Sequence, residues 1–67
     1  MIQTPSYTQI AISAIAKKLD DNHPEIRAKA AESLGKIGNN TAVDSLIHHL
    51  IIESDLATRQ NIIQALG

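Results

Sequence analysis

The sequence predicts an all-α fold in which four antiparallel helices form two helical hairpins, stacked as a short α-solenoid. Apolar residues recur at the three- and four-residue spacing of helices, and no segment alternates with the period of two that is typical of strands. The second half of the chain also repeats the pattern of the first. Because 67 residues hold one small domain, we assign residues 1–67 to it, with repeats at 5–38 and 40–67.

Boundary signals place the first two helices. Thr4 is a residue type that caps helices and Pro5 suits the first helical position, so we expect a helix over residues 5–19. Its apolar stripe contains Ile12, Ile15, Ala16 and Leu19. A second helix starts at Pro24 and ends at Gly38, because proline opens helices and glycine closes them. Its apolar face contains Ile26, Ala30, Ala31, Leu34 and Ile37.

The second half of the chain repeats this organisation. We expect a third helix that runs to about Ile52 and a fourth helix from Leu56 to Leu66. The candidate caps are Asn40 or Thr41 for the third helix and Ser54 or Asp55 for the fourth. The apolar stripes contain Val43, Leu46, Ile47 and Leu50 in the third helix and Ile62, Ile63 and Leu66 in the fourth.

The two halves align with a small change of register. The first and third helices match at an offset of 31 residues, whereas the second and fourth match at 32, so that Arg27 meets Arg59 and Gly35 meets Gly67. The extra residue falls in a turn, where an insertion is tolerated best. A glycine inside a helix costs up to about 1 kcal/mol, so we interpret Gly35 as a point of close approach by a neighbouring helix.

An acid precedes an arginine by six residues in both repeats. The pairs are Asp21 with Arg27 and Glu53 with Arg59. Stacked repeats would bring Arg27 near Glu53, which allows charge-assisted hydrogen bonds between repeats. The alternative is a set of solvated surface charges, each pair contributing about 0–1 kcal/mol. Because the spacing recurs, we favour a structural ladder of these four residues.

The segment from Asp21 to Gly38 has the pattern D-x-x-x-E-I-R-A-x-A-A-E-S-L-G-x-I-G. It resembles a HEAT repeat of the short bacterial type named after the phycobilisome lyases. The second repeat departs from the pattern, with Ile62 and Ile63 in place of paired alanines. The resemblance covers about residues 10–67 and implies a HEAT-like solenoid that binds proteins. The lyase-related members attach bilins to phycobiliproteins, so the resemblance also implies a bilin-protein as a candidate partner.

Composition and charge exclude several function classes. The absence of cysteine excludes disulfides and thiolate metal sites, and a net charge of −1 gives no electrostatic drive toward nucleic acid. The residues of a possible basic strip, which are interleaved with acids, are Lys17, Lys18, Arg27, Lys29 and Lys36. Apolar runs are too short for a membrane span and the N-terminus lacks signal-peptide features, so we expect a cytoplasmic protein without membrane contact.

The histidines do not complete a reaction centre. His48 and His49 are adjacent, so on a helix they point about 100° apart and do not chelate one metal. His49 and Glu53 are four residues apart, but two ligands leave a metal site unfinished. We interpret the histidines as polar surface or turn residues, and we expect no catalytic residue, metal or cofactor.

These patterns favour a non-enzymatic protein-interaction module. Repeat arrays normally need about three units to cover their apolar faces, so two units predict an exposed face that binds a partner, a second copy or further repeats missing from this chain. The candidate interaction residues are Arg59, Ile62, Ile63 and Leu66. The alternative hypothesis is an accessory subunit of a phycobilin lyase or phycobilisome-handling complex. Nucleic-acid binding is a third hypothesis, disfavoured by the charge balance.

Overall fold

A computed structural model describes residues 6–67, which form four α-helices and, within that range, no strand. The helices are α1 (Tyr7–Lys17), α2 (Pro24–Ile37), α3 (Asn40–Ile52) and α4 (Leu56–Leu66). A single 3₁₀ turn, Lys18–Asp20, follows α1. We call α1 with α2 the first unit and α3 with α4 the second unit. The predicted all-α fold of helical hairpins is confirmed.

Side-chain caps fix where three of the helices begin. Ser6 accepts a hydrogen bond from the amide of Gln9 at the start of α1, whereas the predicted start at Thr4 and Pro5 lies outside the described residues. Asn39 caps α3 by accepting from the amide of Ala42 at 2.9 Å. The prediction of Asn40 or Thr41 as this cap is wrong, because the extended residue whose side chain reaches the first turn is one position earlier.

The predicted boundaries of α2 and α4 agree with the structure, whereas α1 ends at Lys17, two residues before its predicted end. Pro24 occupies the first turn of α2, and Gly38 ends the helix with a φ of 66°, a left-handed conformation that favours glycine. Asp55 caps α4, where its carboxylate accepts from the amide of Thr58 at 2.9 Å and from its hydroxyl at 2.7 Å. The same two hydrogen bonds, that of the hydroxyl first, hold the pKa of the Asp55 carboxyl below its ordinary value.

One apolar core is formed by residues of both units. Its buried members are Ile12, Leu19, Ala30, Ala31, Leu34, Ala42, Leu46 and Ile62. The most extensive helix packing is between α2 and α4. A Cβ atom on Gly35 would lie 2.8 Å from Cβ of Ala65 and 3.1 Å from its Cα atom and carbonyl oxygen. The predicted close approach at Gly35 is therefore confirmed.

Three isoleucines of the predicted apolar stripes are exposed. Ile26 is 37% exposed, Ile47 45% and Ile63 55%. The helical periodicity is correct, but these three side chains are not covered by the neighbouring unit. They lie on the outer surfaces of the two units.

Candidate functional site

Comparison of equivalent positions in the two units identifies a surface of the second unit that no neighbouring unit covers in residues 6–67. In the first unit, the side turned toward the second unit contains Ile12, Ala16, Leu19, Arg27, Ala31, Leu34 and Gly35. The equivalent residues at offsets of 31 and 32 are Val43, Ile47, Leu50, Arg59, Ile63, Leu66 and Gly67. We call this second set the C-terminal face. None of its side chains is fully buried among the described residues.

Equivalent positions differ in burial because only one of the two sets is covered by a neighbouring unit. Ala31 is fully buried, whereas Ile63 at the same position of the second unit is 55% exposed. Leu34 is also fully buried, whereas Leu66 is half-buried. The C-terminal face is thus a copy of a stacking surface that has no unit against it in residues 6–67. Exposed apolar surface of this kind is typical of interaction sites.

Ile62 does not lie on the interaction surface that the sequence predicted for it. Its side chain is fully buried in the core, whereas the adjacent Ile63 is on the C-terminal face. Adjacent residues on a helix point about 100° apart, so the two isoleucines cannot occupy the same face. Of the four predicted interaction residues, Arg59, Ile63 and Leu66 are therefore the ones that are at least partly exposed.

A buried ion pair joins the two units beside the core. Nε and Nη2 of Arg27 donate to the two carboxylate oxygens of Glu53 at 2.8 and 2.9 Å, a bidentate geometry. The side chains are only 14% and 1% exposed, respectively. Nη1 of Arg27 also donates to the carbonyl oxygen of Asp21 at 2.8 Å. Arg27 therefore ties the turn of its own unit to the turn of the next.

Glu53 has further partners within the second unit. Its carboxylate accepts from the amide of Asp55 at 3.0 Å, and Nε2 of His49 lies 2.7 Å from Oε1. The hydrogen bonds from Arg27, followed by those from Asp55 and His49, lower the pKa of Glu53 from 4.5 to about 2, against the opposing effect of burial. Glu53 is therefore ionised at neutral pH, and Nε2 of His49 must carry the hydrogen that it donates.

Arg59 repeats part of the environment of Arg27. Its Nη1 donates to the carbonyl oxygen of Glu53 at 3.0 Å, as Nη1 of Arg27 does to Asp21, and also to that of Leu50 at 2.7 Å. Among residues 6–67, no carboxylate lies against its Nε and Nη2 atoms as Glu53 does against Arg27. The second unit therefore presents the arginine of the acid–arginine pair on its open side.

The polar cluster has the character of a structural network. Within residues 6–67, no group of three or more His, Cys, Asp or Glu residues is arranged to hold a metal ion. His49 and Glu53 bond to each other and are buried, so the interpretation of His49 as a surface or turn residue is wrong. Among the same residues, no helix combines the length and the apolar character needed to cross a bilayer.

Comparison with known families agrees with this geometry. A family model described as HEAT repeats matches residues 5–67, which is nearly the whole chain. The chain belongs to the HEAT-repeat family. No curated protein and no solved structure matches it in the corresponding comparisons. The HEAT fold stacks helical hairpins, and HEAT repeats generally serve as protein-interaction modules.

Two buried polar residues of this HEAT pair were not predicted from the sequence. His49 is 7% exposed and Thr58 is 1% exposed. The hydroxyl of Thr58 donates to Asp55 and also contacts the carbonyl oxygen of Pro24 in the first unit. The spacing of His49 four residues before Glu53 is compatible with a hydrogen bond between them on one helix face, but it is equally compatible with two ligands of a metal. The isoleucine equivalent to Thr58, Ile26, gave no indication of a polar contact.

Proposed function

We propose that this chain is a non-enzymatic protein-interaction module that binds a protein through its C-terminal face. The observation that carries the proposal is the difference in burial between Ala31 and Ile63, which occupy the same position in the two units. The apolar contact would come from Ile63, Ile47 and Leu66, with Arg59 as a charged anchor at its edge. Arginine is enriched in binding hot spots, and exposed apolar patches mark interaction sites.

The acid–arginine pairs act as the structural ladder in this proposal. The bidentate contact between Arg27 and Glu53 aligns the second unit on the first, which sets the orientation of the C-terminal face. The contacts of Asp21 and Arg59 with the backbone of the turns extend the same arrangement. A partner that carries a carboxylate near its apolar patch would complement Arg59.

Site-specific photo-crosslinking in cells that express the chain tests the proposal. A photo-reactive amino acid is introduced at Ile63 on the C-terminal face, and at the exposed Gln64 of the same helix as a matched control. We expect discrete protein adducts, identified by mass spectrometry, from position 63 and not from position 64. No adduct from either position, or the same adducts from both, would contradict the proposal.

A role as an accessory subunit of a phycobilin lyase complex is a narrower hypothesis. It rests on the resemblance of Asp21 to Gly38 to the lyase type of repeat. Because the chain has no cysteine, it would need a second subunit for any covalent step with a bilin. Mixing the chain with bilin and an apo-phycobiliprotein, with and without a candidate second subunit, tests this role. Absence of a covalent adduct in both mixtures would leave only protein binding.

The paired charges disfavour nucleic-acid binding. Lys29 and Lys36 both lie within 4 Å of the Glu32 carboxylate, and Arg27 is buried against Glu53. Three of the five basic residues that could form a strip therefore lie beside an acid. A gel-shift measurement with duplex DNA at low salt checks this, and we expect no shifted band.

A further inference from the structure

The first unit also has an open stacking surface, on the side away from the second unit. In the second unit, the side that packs on the first contains Ala42, Leu46, His49, Glu53, Thr58, Ile62 and Ala65. The equivalent residues of the first unit are Ala11, Ile15, Lys18, Asp21, Ile26, Ala30 and Ser33. We call this set the N-terminal face. Leu46 and Thr58 are at most 1% exposed, whereas their equivalents Ile15 and Ile26 are half-buried and 37% exposed.

A shallow groove runs across this face. Its volume is about 450 Å³, and its lining is mostly apolar. Ile15, Ile26, Ala30 and Ser33 are among the residues that line it. The structure therefore has two open end faces, one equivalent to each side of its own internal interface.

We propose that a second copy of this chain docks head to tail, its N-terminal face on the C-terminal face of the first copy. The contact would repeat the interface between the two units. It rests on the proposed function, because it names a second copy as the protein that the C-terminal face binds. Such an interface joins two different surfaces, so it would build open chains of copies rather than closed dimers.

Charge complementarity favours a second copy as the occupant. Asp21 stands in the first unit where Glu53 stands in the second, and its carboxylate accepts from the amide two residues later, as that of Glu53 does. Stacking of a second copy would bring its Asp21 to the Nε and Nη2 atoms of Arg59. The pair would then match the contact between Arg27 and Glu53.

The sizes of the apolar side chains also match. At the internal interface, the small Ala31 of the first unit and the large Ile62 of the second share the core. At the proposed contact, the order is reversed: the large Ile63 lies on the C-terminal face, and the small Ala30 is a nearly buried residue that lines the groove of the N-terminal face. Exchange of a large and a small residue across a contact conserves its volume, and such exchanges are tolerated best in packed interiors.

The glycine that allows close helix approach recurs at the same place. Gly35 accommodates Ala65 at the internal interface. The equivalent pair between copies is Gly67 with Ser33, both exposed. These residues are small enough for α4 of one copy to approach α2 of the next as closely as α2 approaches α4 within the chain.

Sedimentation equilibrium of the wild-type chain gives the first test. Between about 1 μM and about 1 mM, a range that covers weak protein association, we expect an average mass that rises with concentration without levelling off at the dimer. A constant mass of one chain over this range would overturn the inference. A plateau at the dimer would overturn the head-to-tail geometry.

Two variants, each with one face blocked, give a sharper test. Ile63→Glu places a charge on the C-terminal face, and Ser33→Arg places a bulky charge on the N-terminal face; both residues are exposed. Each variant alone should be a monomer, whereas an equimolar mixture should form dimers and nothing larger. If Ser33→Arg alone still forms dimers, the C-terminal face pairs with itself and the inference is wrong. Circular dichroism checks that the variants fold. Ile47→Glu on the C-terminal face and Ile26→Arg on the N-terminal face provide a second pair of blocked variants for the same test.

Matched controls leave both faces intact. Ile10 is 51% exposed, and its equivalent Thr41 stays exposed although the second unit is stacked on the first. Ile10→Glu should therefore associate like the wild type.

Asp21→Asn removes the proposed partner of Arg59 and should weaken association by about tenfold, whereas Glu32→Gln, outside both faces, should not. Equal behaviour of Asp21→Asn and Glu32→Gln would overturn the assigned ion pair.

The sedimentation and photo-crosslinking experiments together distinguish this inference from the proposed function. If the wild-type chain stays monomeric while the photo-reactive residue at position 63 captures a different protein, self-stacking is wrong and the interaction module remains. If position 63 captures only a second copy, both are supported. If it captures nothing and the chain is monomeric, both are overturned.

Discussion

Glu53 contacts three partners at once: the guanidinium of Arg27, the imidazole of His49 and the amide of Asp55. Its side chain is 1% exposed, so water does not compensate for the loss of any of these contacts. Burial of a charge is unfavourable unless partners and hydrogen bonds compensate for it, and here three donors do so. This single residue therefore connects the two units and orders the turn before α4.

Replacing the charge without changing the shape tests this role. Glu53→Gln leaves Arg27 buried beside a neutral amide, so we expect the free energy of unfolding to fall by about 3 kcal/mol. Urea denaturation followed by circular dichroism measures the change. Glu32→Gln is the matched control, because Glu32 pairs with Lys29 and Lys36 at the surface and should contribute less than about 1 kcal/mol. Equal losses in the two variants would contradict the structural role of Glu53.

The lowered pKa of Glu53 predicts a specific loss of stability in acid. Its folded-state pKa of about 2 lies below the ordinary value of 4.5, so the folded chain binds fewer protons than the unfolded chain between these values. The stabilisation is fully present above a pH of about 4.5 and is lost as the pH falls toward about 2. The difference in stability between wild type and Glu53→Gln should therefore vanish over this range. A difference that stays constant down to pH 2 would refute the assignment.

At the residue scale, the sequence predicted some contacts and missed others. The recurrence of an acid six residues before an arginine predicted that Arg27 and Glu53 are neighbours, and their atoms lie 2.8 Å apart. The burial of His49 was not predictable from periodicity, because a histidine next to apolar residues is equally consistent with a surface position. Its burial depends on the carboxylate that it meets, which only the stacked fold supplies.

The packing of α2 on α4 is the main contact at the scale of helices. Gly35 removes the side chain where the two helices are closest, and Ala65 fills the space. Because a Cβ atom at Gly35 would meet backbone atoms as well as a side chain, the contact has little room to adjust. The close packing that Gly35 allows therefore offsets its unfavourable helix propensity.

Gly35→Ala should therefore destabilise the chain although alanine favours helices. The gain in propensity is about 1 kcal/mol, whereas crowding a packed contact typically costs about 1–3 kcal/mol. We expect a net loss of stability in urea denaturation. Ala65→Gly in the same chain should restore part of it, because the Cβ atom at 2.8 Å is removed while the backbone atoms at 3.1 Å remain. A stabilised Gly35→Ala chain would show that the helices are not in close contact.

Adjacent isoleucines on α4 give a direct test of which side faces the core. Ile62 is fully buried and Ile63 is 55% exposed. Ile62→Ala should lower the free energy of unfolding by about 2–5 kcal/mol, whereas Ile63→Ala should change it by less than about 1 kcal/mol. Thermal denaturation of the two variants under identical conditions measures both. The opposite order would mean that α4 is rotated by about one residue.

The helices themselves were predictable because their ends carry distinct signals. Pro24 and Gly38 mark the boundaries of α2 by backbone restriction, as predicted, and Asp55 is one of the two residues predicted as the cap of α4. The exposure of Ile26 and Ile47 was not predictable, because periodicity identifies apolar positions without indicating whether a neighbour covers them. Thr58, the equivalent of Ile26, is buried because the first unit is stacked against it.

At the scale of the whole molecule, residues 6–67 form a stack of two helical hairpins of the HEAT type. Its internal interface combines an apolar core, a close helix contact and a buried ion pair, and we propose that contacts between copies repeat all three. Arg59 is the half of the ion pair that remains open at one end, and Asp21 is the equivalent of the other half. A stack built from such units has no intrinsic limit on its length.

The two end faces are proposed to repeat the internal interface, and a dilution series of amide NMR spectra tests this most directly. We expect the signals of Ile63 and Gly67 on one face and of Ile15 and Ser33 on the other to shift together with concentration. Signals from side surfaces, such as those of Thr41 and Gln64, should stay constant. Spectra that do not change with concentration, or shifts confined to one face, would contradict it.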